Sequence, residues 1–279
     1  MLFRIISPRA LRLPENLSSF LTDEVEEDRP DWIVEVSFGT DHVEYGERDF
    51  VKCFPWKDGE CFWRIVPADG DRICRLIVPD GIADQFVLNA NWTLFLMVDR
   101  MLLPFDRLIL HASAVIHEGQ AILFTAPSGT GKSTQASLWE DCVGAEIING
   151  DKVILSAGNV PIAYGGPIAG TSRIFKDVWA PVRAIVYLHQ GSENTLTFLD
   201  RRHAFMALYS QAVKSSDDAA FNEALIPLIE KIVEKTPVVD YYCQPNASAV
   251  SYLQSKLSNF PTDSDCEEFL CVSDLPNEH

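Results

Sequence analysis

One stretch of the chain has the residue types and spacing to hold a phosphate: Ala121-Ile-Leu-Phe-Thr-Ala-Pro-Ser-Gly-Thr-Gly-Lys-Ser-Thr134. Within it, Ala126-x-x-x-x-Gly131-Lys132-Ser133 fits the phosphate-binding loop pattern, with Ala in place of the first Gly. Gly129 and Gly131 let the backbone turn so that successive N–H groups aim at one point, and a following helix adds its positive end. Lys132 is a point charge for β- and γ-phosphates, and Ser133 is a hydroxyl for Mg²⁺. Ser128, Gly129, Thr130, Gly131, Lys132, Ser133 and Thr134 are the expected nucleotide-holding residues, with ATP and Mg²⁺ as the expected cofactors.

A second segment, Glu146-Ile-Ile-Asn-Gly-Asp-Lys-Val153, places Asp151 19 residues after Lys132. A helix and a turn fit between them, so Asp151 is expected to end the next strand. A carboxylate there serves to hold Mg²⁺ or to orient or deprotonate an attacking hydroxyl. A third segment, Leu110-His111-Ala-Ser-Ala-Val115, sets His111 just ahead of the strand that leads into the loop. On its own, a single His is an ordinary core or surface residue. A fourth, Tyr164-Gly-Gly-Pro-Ile-Ala-Gly-Thr-Ser-Arg-Ile174, reads as a glycine-rich loop. It is either a plain connection or a means of bringing Thr171, Ser172 and Arg173 to a phosphate or an acceptor.

The elements that must position these groups follow from periodicity and punctuation. Ala121–Thr125 is a continuous apolar strand candidate. Ser133–Asp141 is helix-compatible, with Ala136, Leu138 and Trp139 facing inward. Downstream, helices are expected over Ala204–Val213, Ala219–Lys235 and Ala247–Leu257, the last with Ser248, Ser251 and Gln254 on its polar side. A strand is expected over Val238–Cys243. Alternation of strands and helices from His111 onward marks an α/β core. Residues 87–108, apolar and without Gly, read as a buried helix. Residues 1–85 read as mostly β, with strands near Leu2–Ile6 and over Trp32–Phe38, Cys61–Val66 and Arg72–Val78. An Asp-Gly step within Ala68–Asp71 signals a hairpin turn. The expected organisation is a β-rich domain over 1–85 that docks an acceptor, a catalytic domain with its leading helix over 86–259, and an acidic tail over 260–279.

Composition bounds the function. The chain has 279 residues, 23 Lys+Arg and 40 Asp+Glu, for a net charge of −17. Such an excess of acid argues against nucleic acid or an anionic membrane as partner. The charge is uneven. Residues 1–110 carry 12 basic and 20 acidic residues, residues 111–190 carry 5 and 6, and residues 191–279 carry 6 and 14. The segment with the loop is thus nearly neutral and remains compatible with an anionic nucleotide. Seven cysteines are scattered without a CxxC pair, which points to reduced thiols in the cytoplasm and away from zinc. No stretch has the length of uncharged apolar residues that a transmembrane helix needs.

Taken in order, His111, the loop at Ala126–Ser133, Gly150-Asp151 and the glycine-rich turn at 165–170 resemble the C-terminal domain of the HPr kinase/phosphorylase family. The likeness covers about residues 105–257 and leans toward its serine- and peptide-kinase branch. It implies an α/β P-loop core related to ATP-type phosphoenolpyruvate carboxykinase and transfer of the γ-phosphoryl group of ATP to a serine hydroxyl. The acceptor would be a peptide, a protein or a free amino acid. It also implies His111 near the phosphates, Asp151 in catalysis or metal binding, and self-association. Where the family commonly has two adjacent Asp, this chain has Gly150 and Asp151. The family's later metal-holding Glu has no counterpart in 160–175, and the phosphorolysis segment is not recognisable. These departures argue against phosphorylase activity and leave a second class open, a nucleotide-dependent peptide-binding or chaperone protein. A carboxykinase-like enzyme is disfavoured, since residues 111–190 hold only Arg173 and Arg183.

Overall fold

A computed structural model describes residues 3–22, 30–39, 43–55, 61–66, 72–84, 86, 97–168, 170, 172–215 and 219–260. The chain is mixed α/β, with two sheets and, among the described residues, six helices. It divides into two compact units, Met1–Met101 and Leu102–His279. The hairpin-turn signal at 68–71, most of the acidic cluster around residue 25, Thr171 and the acidic tail beyond 260 lie outside the described residues.

The first unit holds a five-stranded sheet in the order β1-β2-β5-β4-β3. Its strands are β1 (Phe3–Ile6), β2 (Trp32–Phe38), β3 (Phe50–Pro55), β4 (Cys61–Val66) and β5 (Ile73–Val78). β2 pairs in parallel with β1 and β5, while β4 pairs antiparallel with β3 and β5. Alternation in β2 buries Trp32, Val34 and Val36. A short helix, Glu15–Ser18 (α1), lies between β1 and β2.

Residues 97–108 correct the expectation of one long helix. Only Val98–Leu102 (α2) is α-helical. Pro104 lies in a following 3₁₀ turn, Leu103–Phe105, and Asp106 takes a left-handed conformation with φ 52°. Proline lacks the N–H that would continue the helix, and β6 starts at Arg107. The two units divide between Met101 and Leu102. Met101 is buried, and its carbonyl accepts the Trp32 indole N–H at 3.2 Å, which ties α2 to the first sheet.

The second unit is built on an eight-stranded sheet in the order β10-β9-β6-β7-β11-β13-β12, with β8 also on β6. Its strands are β6 (Arg107–His117), β7 (Gln120–Thr125), β8 (Glu146–Asn149), β9 (Lys152–Ser156), β10 (Ile162–Tyr164), β11 (Trp179–Gln190), β12 (Thr195–Phe198) and β13 (Val238–Cys243). Helices α3 (Lys132–Val143), α4 (Arg201–Gln211), α5 (Ala219–Lys235) and α6 (Ala247–Leu257) complete it. Residues 121–124 of β7 are apolar without a break because both faces of the strand are covered there. Ala121 and Leu123 join Phe221, Leu225 and Ile229 of α5, while Ile122 and Phe124 join Trp139 of α3 and Val250 and Leu253 of α6. The result is a three-layer arrangement. Asp200 and Asn246 start α4 and α6 by accepting from the backbone N–H of His203 and Ser248.

Candidate functional site

The loop at 126–131 joins the end of β7 to the start of α3, as its glycine spacing predicts. Gly129 and Gly131 have φ of 81° and 116°, a region that a side chain makes costly. Gly131 is also the residue from which α3 begins. Ser128, Gly129, Ser133 and Thr134 are exposed, and Thr130 donates its hydroxyl to the Pro127 carbonyl at 2.9 Å. Lys132 is buried, with its ammonium on the carbonyls of Ala126 at 2.9 Å and Pro127 at 3.2 Å. Burial pushes the Lys132 pKa below its usual value, which the charge of Asp151 partly offsets.

Strand pairing brings the distant pieces to this loop. The first half of β6 pairs with β9, His111 lying opposite Lys152, and its second half pairs with β8. The chain turns at 149–152 to make that change, so Asp151 sits in the turn just past the end of β8. The Asp151 backbone carbonyl accepts from the Ala112 N–H at 3.0 Å. His111 Nε2 is then 3.2 Å from Asp151 Oδ1, and Lys152 Nζ pairs with Oδ2. Burial alone would raise the Asp151 pKa, but hydrogen bonds from His111 and Lys152, and their charge, outweigh it and hold it at about 2. Ser133 Oγ lies 3.4 Å from the Gly150 carbonyl, which also accepts from Ser113 Oγ at 2.9 Å. Lys132, Ser133, Gly150, Asp151 and His111 therefore form one cluster. An open cleft of about 240 Å³ lies beside it, lined by His111, Lys152 and residues 210–213 at the end of α4.

The residue that sequence reasoning passed over is Asn149. It is fully buried and acts as a two-sided clamp. Its Oδ1 accepts from the backbone N–H of Asp151 at 2.9 Å and of Lys152 at 2.8 Å. Its Nδ2 donates to the carbonyls of Gly165 at 2.8 Å and Ile168 at 3.0 Å, with Gly166 at 3.4 Å. The glycine-rich loop is thereby fastened to the Asp151 turn. An Asn followed by Gly-Asp is an Asx-turn signal, so a cue for Asn149 stood in the sequence. The same packing accounts for Gly150 and Gly170. A Cβ on Gly150 would run into the Ser172 side chain, and one on Gly170 into Asp151. Of the loop's polar residues, Ser172 turns toward Gly150 while Arg173 is exposed. Arg183 is committed elsewhere, donating to the carbonyls of Leu257 at 2.5 Å and Phe260 at 3.0 Å.

No group of three or more His, Cys, Asp or Glu able to hold a metal occurs among the described residues. A Mg²⁺ held largely by phosphates needs few protein oxygens, such as one hydroxyl and one carboxylate. The exposed Ser133 hydroxyl and the ionised Asp151 supply those two groups.

The sequence matches no family model, and no curated protein matches it. In structure the chain is similar to the Hpr(Ser) kinase/phosphatase from Coxiella burnetii. The TM-score is 0.33 and the identity 11%, over 54% of this chain and 98% of that one. Among the described residues no helix is long and apolar enough to cross a membrane, and the five described cysteines are free thiols.

Proposed function

We propose that the second unit is a P-loop core of the HPr kinase kind that binds ATP with Mg²⁺ and transfers the γ-phosphoryl group to a hydroxyl. The acceptor is a serine of a peptide, a protein or the free amino acid, and the reaction takes place in the cytoplasm. One observation carries this reading: the glycine loop with Lys132 and Ser133 meets the Asp151–His111 pair at Gly150. In the reaction the acceptor oxygen attacks the γ-phosphorus and the bond from that phosphorus to the bridging oxygen breaks, leaving ADP. Bound Mg²⁺ supplies positive charge to the phosphates. Lys132 and the loop amides bind and neutralise the same phosphates, and Ser133 is the residue whose hydroxyl would help hold the metal. With a pKa of about 2, Asp151 stays charged and has little affinity for a proton. Its role is therefore to orient the hydroxyl or hold the metal, and the released proton passes toward His111 or water. Catalysis of this kind is mostly positioning and charge stabilisation.

The cleft beside His111 and Lys152 is where the acceptor would enter, with the β-rich first unit docking the rest of a larger acceptor. Intact mass measured after incubation with ATP, Mg²⁺ and candidate serine peptides, proteins or free serine tests the reading. A phosphate added to an acceptor by the wild type, and lost in Lys132→Ala and Asp151→Asn, is the expected result. An Asp151→Asn variant with the wild-type rate removes Asp151 from the mechanism. A nucleotide-dependent binding protein that modifies nothing is the second reading. The engagement of both Asp151 oxygens by His111 and Lys152 favours it, and ATP-dependent peptide binding without added mass would establish it.

A further inference from the structure

On the β11 side of the glycine loop, opposite to Asp151, the carboxyl ends of β7, β11 and β13 enclose a cleft of about 430 Å³. The loop at 127–130 forms one wall, and Tyr187, His189, Gln190 and Tyr242 line the other. Register explains the placement. β11 runs parallel to β7 as far as Tyr187 opposite Thr125, so residues 188–190 continue alongside the loop. β13 runs parallel to β11 and sets Tyr242 opposite His189. The crevice beyond the carboxyl ends of parallel strands is where such sheets receive ligands.

The wall is a fixed aromatic ledge. The His189 and Tyr242 rings stack with centroids 4.4 Å apart and planes 12° from parallel, and Tyr187 leans on His189 at 5.2 Å. Asp240 Oδ1 lies 2.9 Å from His189 Nε2. That carboxylate accepts, so the proton sits on Nε2 and the ring is locked in plane. Gln135 of α3 donates to Cys243 Sγ at 3.2 Å and the Gln244 carbonyl at 3.3 Å, binding the end of β13 to the helix that follows the loop. Tyr242 keeps 46% of its surface exposed. The hydroxyls of Tyr187 and Tyr242 and the amide of Gln190 have no hydrogen-bond partner among the described residues. A flat ring face with unused polar groups around it, beside a phosphate loop, has the chemistry of a heteroaromatic ligand site.

We propose that this ledge takes the nucleobase of the nucleotide whose phosphates lie on the loop. The base stacks on the exposed face of Tyr242, which His189 backs from the other side, and turns its polar edge to Gln190 and Tyr187. The proposal rests on the nucleotide reading above, and its test separates the two. Calorimetric titration of the full chain with Mg²⁺ compares ATP with inorganic tripolyphosphate, which carries the phosphates without a base. The wild type binds both, ATP about tenfold more tightly, the size expected for one stacked base. Tyr242→Ala, or His189→Ala should the first variant not fold, weakens ATP about tenfold and leaves tripolyphosphate unchanged. Tyr242→Phe retains ATP affinity, and Lys132→Ala loses both ligands. A wild type that binds both ligands equally well, or a Tyr242→Ala variant that weakens both or neither, overturns the ledge while the phosphate loop stands. Failure of the wild type to bind either ligand overturns both.

Discussion

Asn149 offers the sharpest test of how the Asp151 turn is held. Its side chain makes four hydrogen bonds of 3.0 Å or shorter, two accepted from Asp151 and Lys152 and two donated to Gly165 and Ile168. A buried hydrogen bond contributes about 1 kcal/mol net, and more is lost when its partner is stranded without water. Asn149→Ala therefore destabilises the second unit by about 3–4 kcal/mol, read by urea unfolding with circular dichroism. Asn149→Asp is the finer probe because it keeps the shape and the accepting Oδ1. Its second oxygen faces the carbonyls of Gly165, Gly166 and Ile168, which also only accept. Burial and those carbonyl dipoles push the new carboxyl's pKa above its ordinary value, so the neutral acid, which can donate, is the form that fits. The sign follows: the variant is most stable below the ordinary carboxylate range and loses stability as pH rises through the raised value. Asn149→Ala within about 1 kcal/mol of wild type, or Asn149→Asp with stability flat between acid and neutral pH, would refute the clamp.

Three further outcomes follow from the same geometry. The Asp151 carboxyl stands at about 2 against an ordinary 3.8. Its pairing contributes about 2 kcal/mol that is present above the ordinary value and is lost as pH falls through about 2; the stability gap between wild type and Asp151→Asn narrows by about 1 kcal/mol from pH 5 to pH 3 in urea titrations, and an unchanged gap contradicts the pairing. Gly150→Ala meets Ser172 and costs about 1–3 kcal/mol. Adding Ser172→Gly restores most of it, which a double-mutant cycle in the same titration measures. Gly131→Ala, at φ 116°, costs about 1–2 kcal/mol through strain and abolishes tripolyphosphate binding in calorimetry.

Much of the fold could be read locally. Trp32–Phe38, Cys61–Val66, Ala219–Lys235, Val238–Cys243 and Ala247–Leu257 form as the periodicity predicts, because each carries its signal within itself. The run through residue 108 misled because apolar content does not mark where a helix stops: Pro104 and the left-handed Asp106 end it, and its last two residues already belong to β6. The strands Phe50–Pro55 and Thr195–Phe198, in which no residue is fully buried, escape notice for the opposite reason. The glycine loop was legible because its chemistry is packed into a few consecutive residues. The contact of His111 with Asp151 was not, since it depends on the pairing of β6 with β9 rather than on spacing.

Gly150 shows why the departure from a paired-Asp pattern is coherent with the rest of the site. A side chain at 150 has no room, because Ser172 fills that space, and the Gly170 backbone lies against Asp151 from the same loop. What position 150 contributes is its carbonyl, shared between Ser113 at 2.9 Å and Ser133 at 3.4 Å. The longer of those two bonds is the weaker, so Ser133 is the more loosely held of the two while Ser113 keeps the carbonyl in place; on the proposed function that frees the Ser133 hydroxyl for a metal. Lys152 pairs with the single carboxylate, which leaves the turn near neutral; on the proposed function that suits a phosphate bringing its own Mg²⁺. On this geometry the packing at position 150 leaves room for one carboxylate in the turn, that of Asp151.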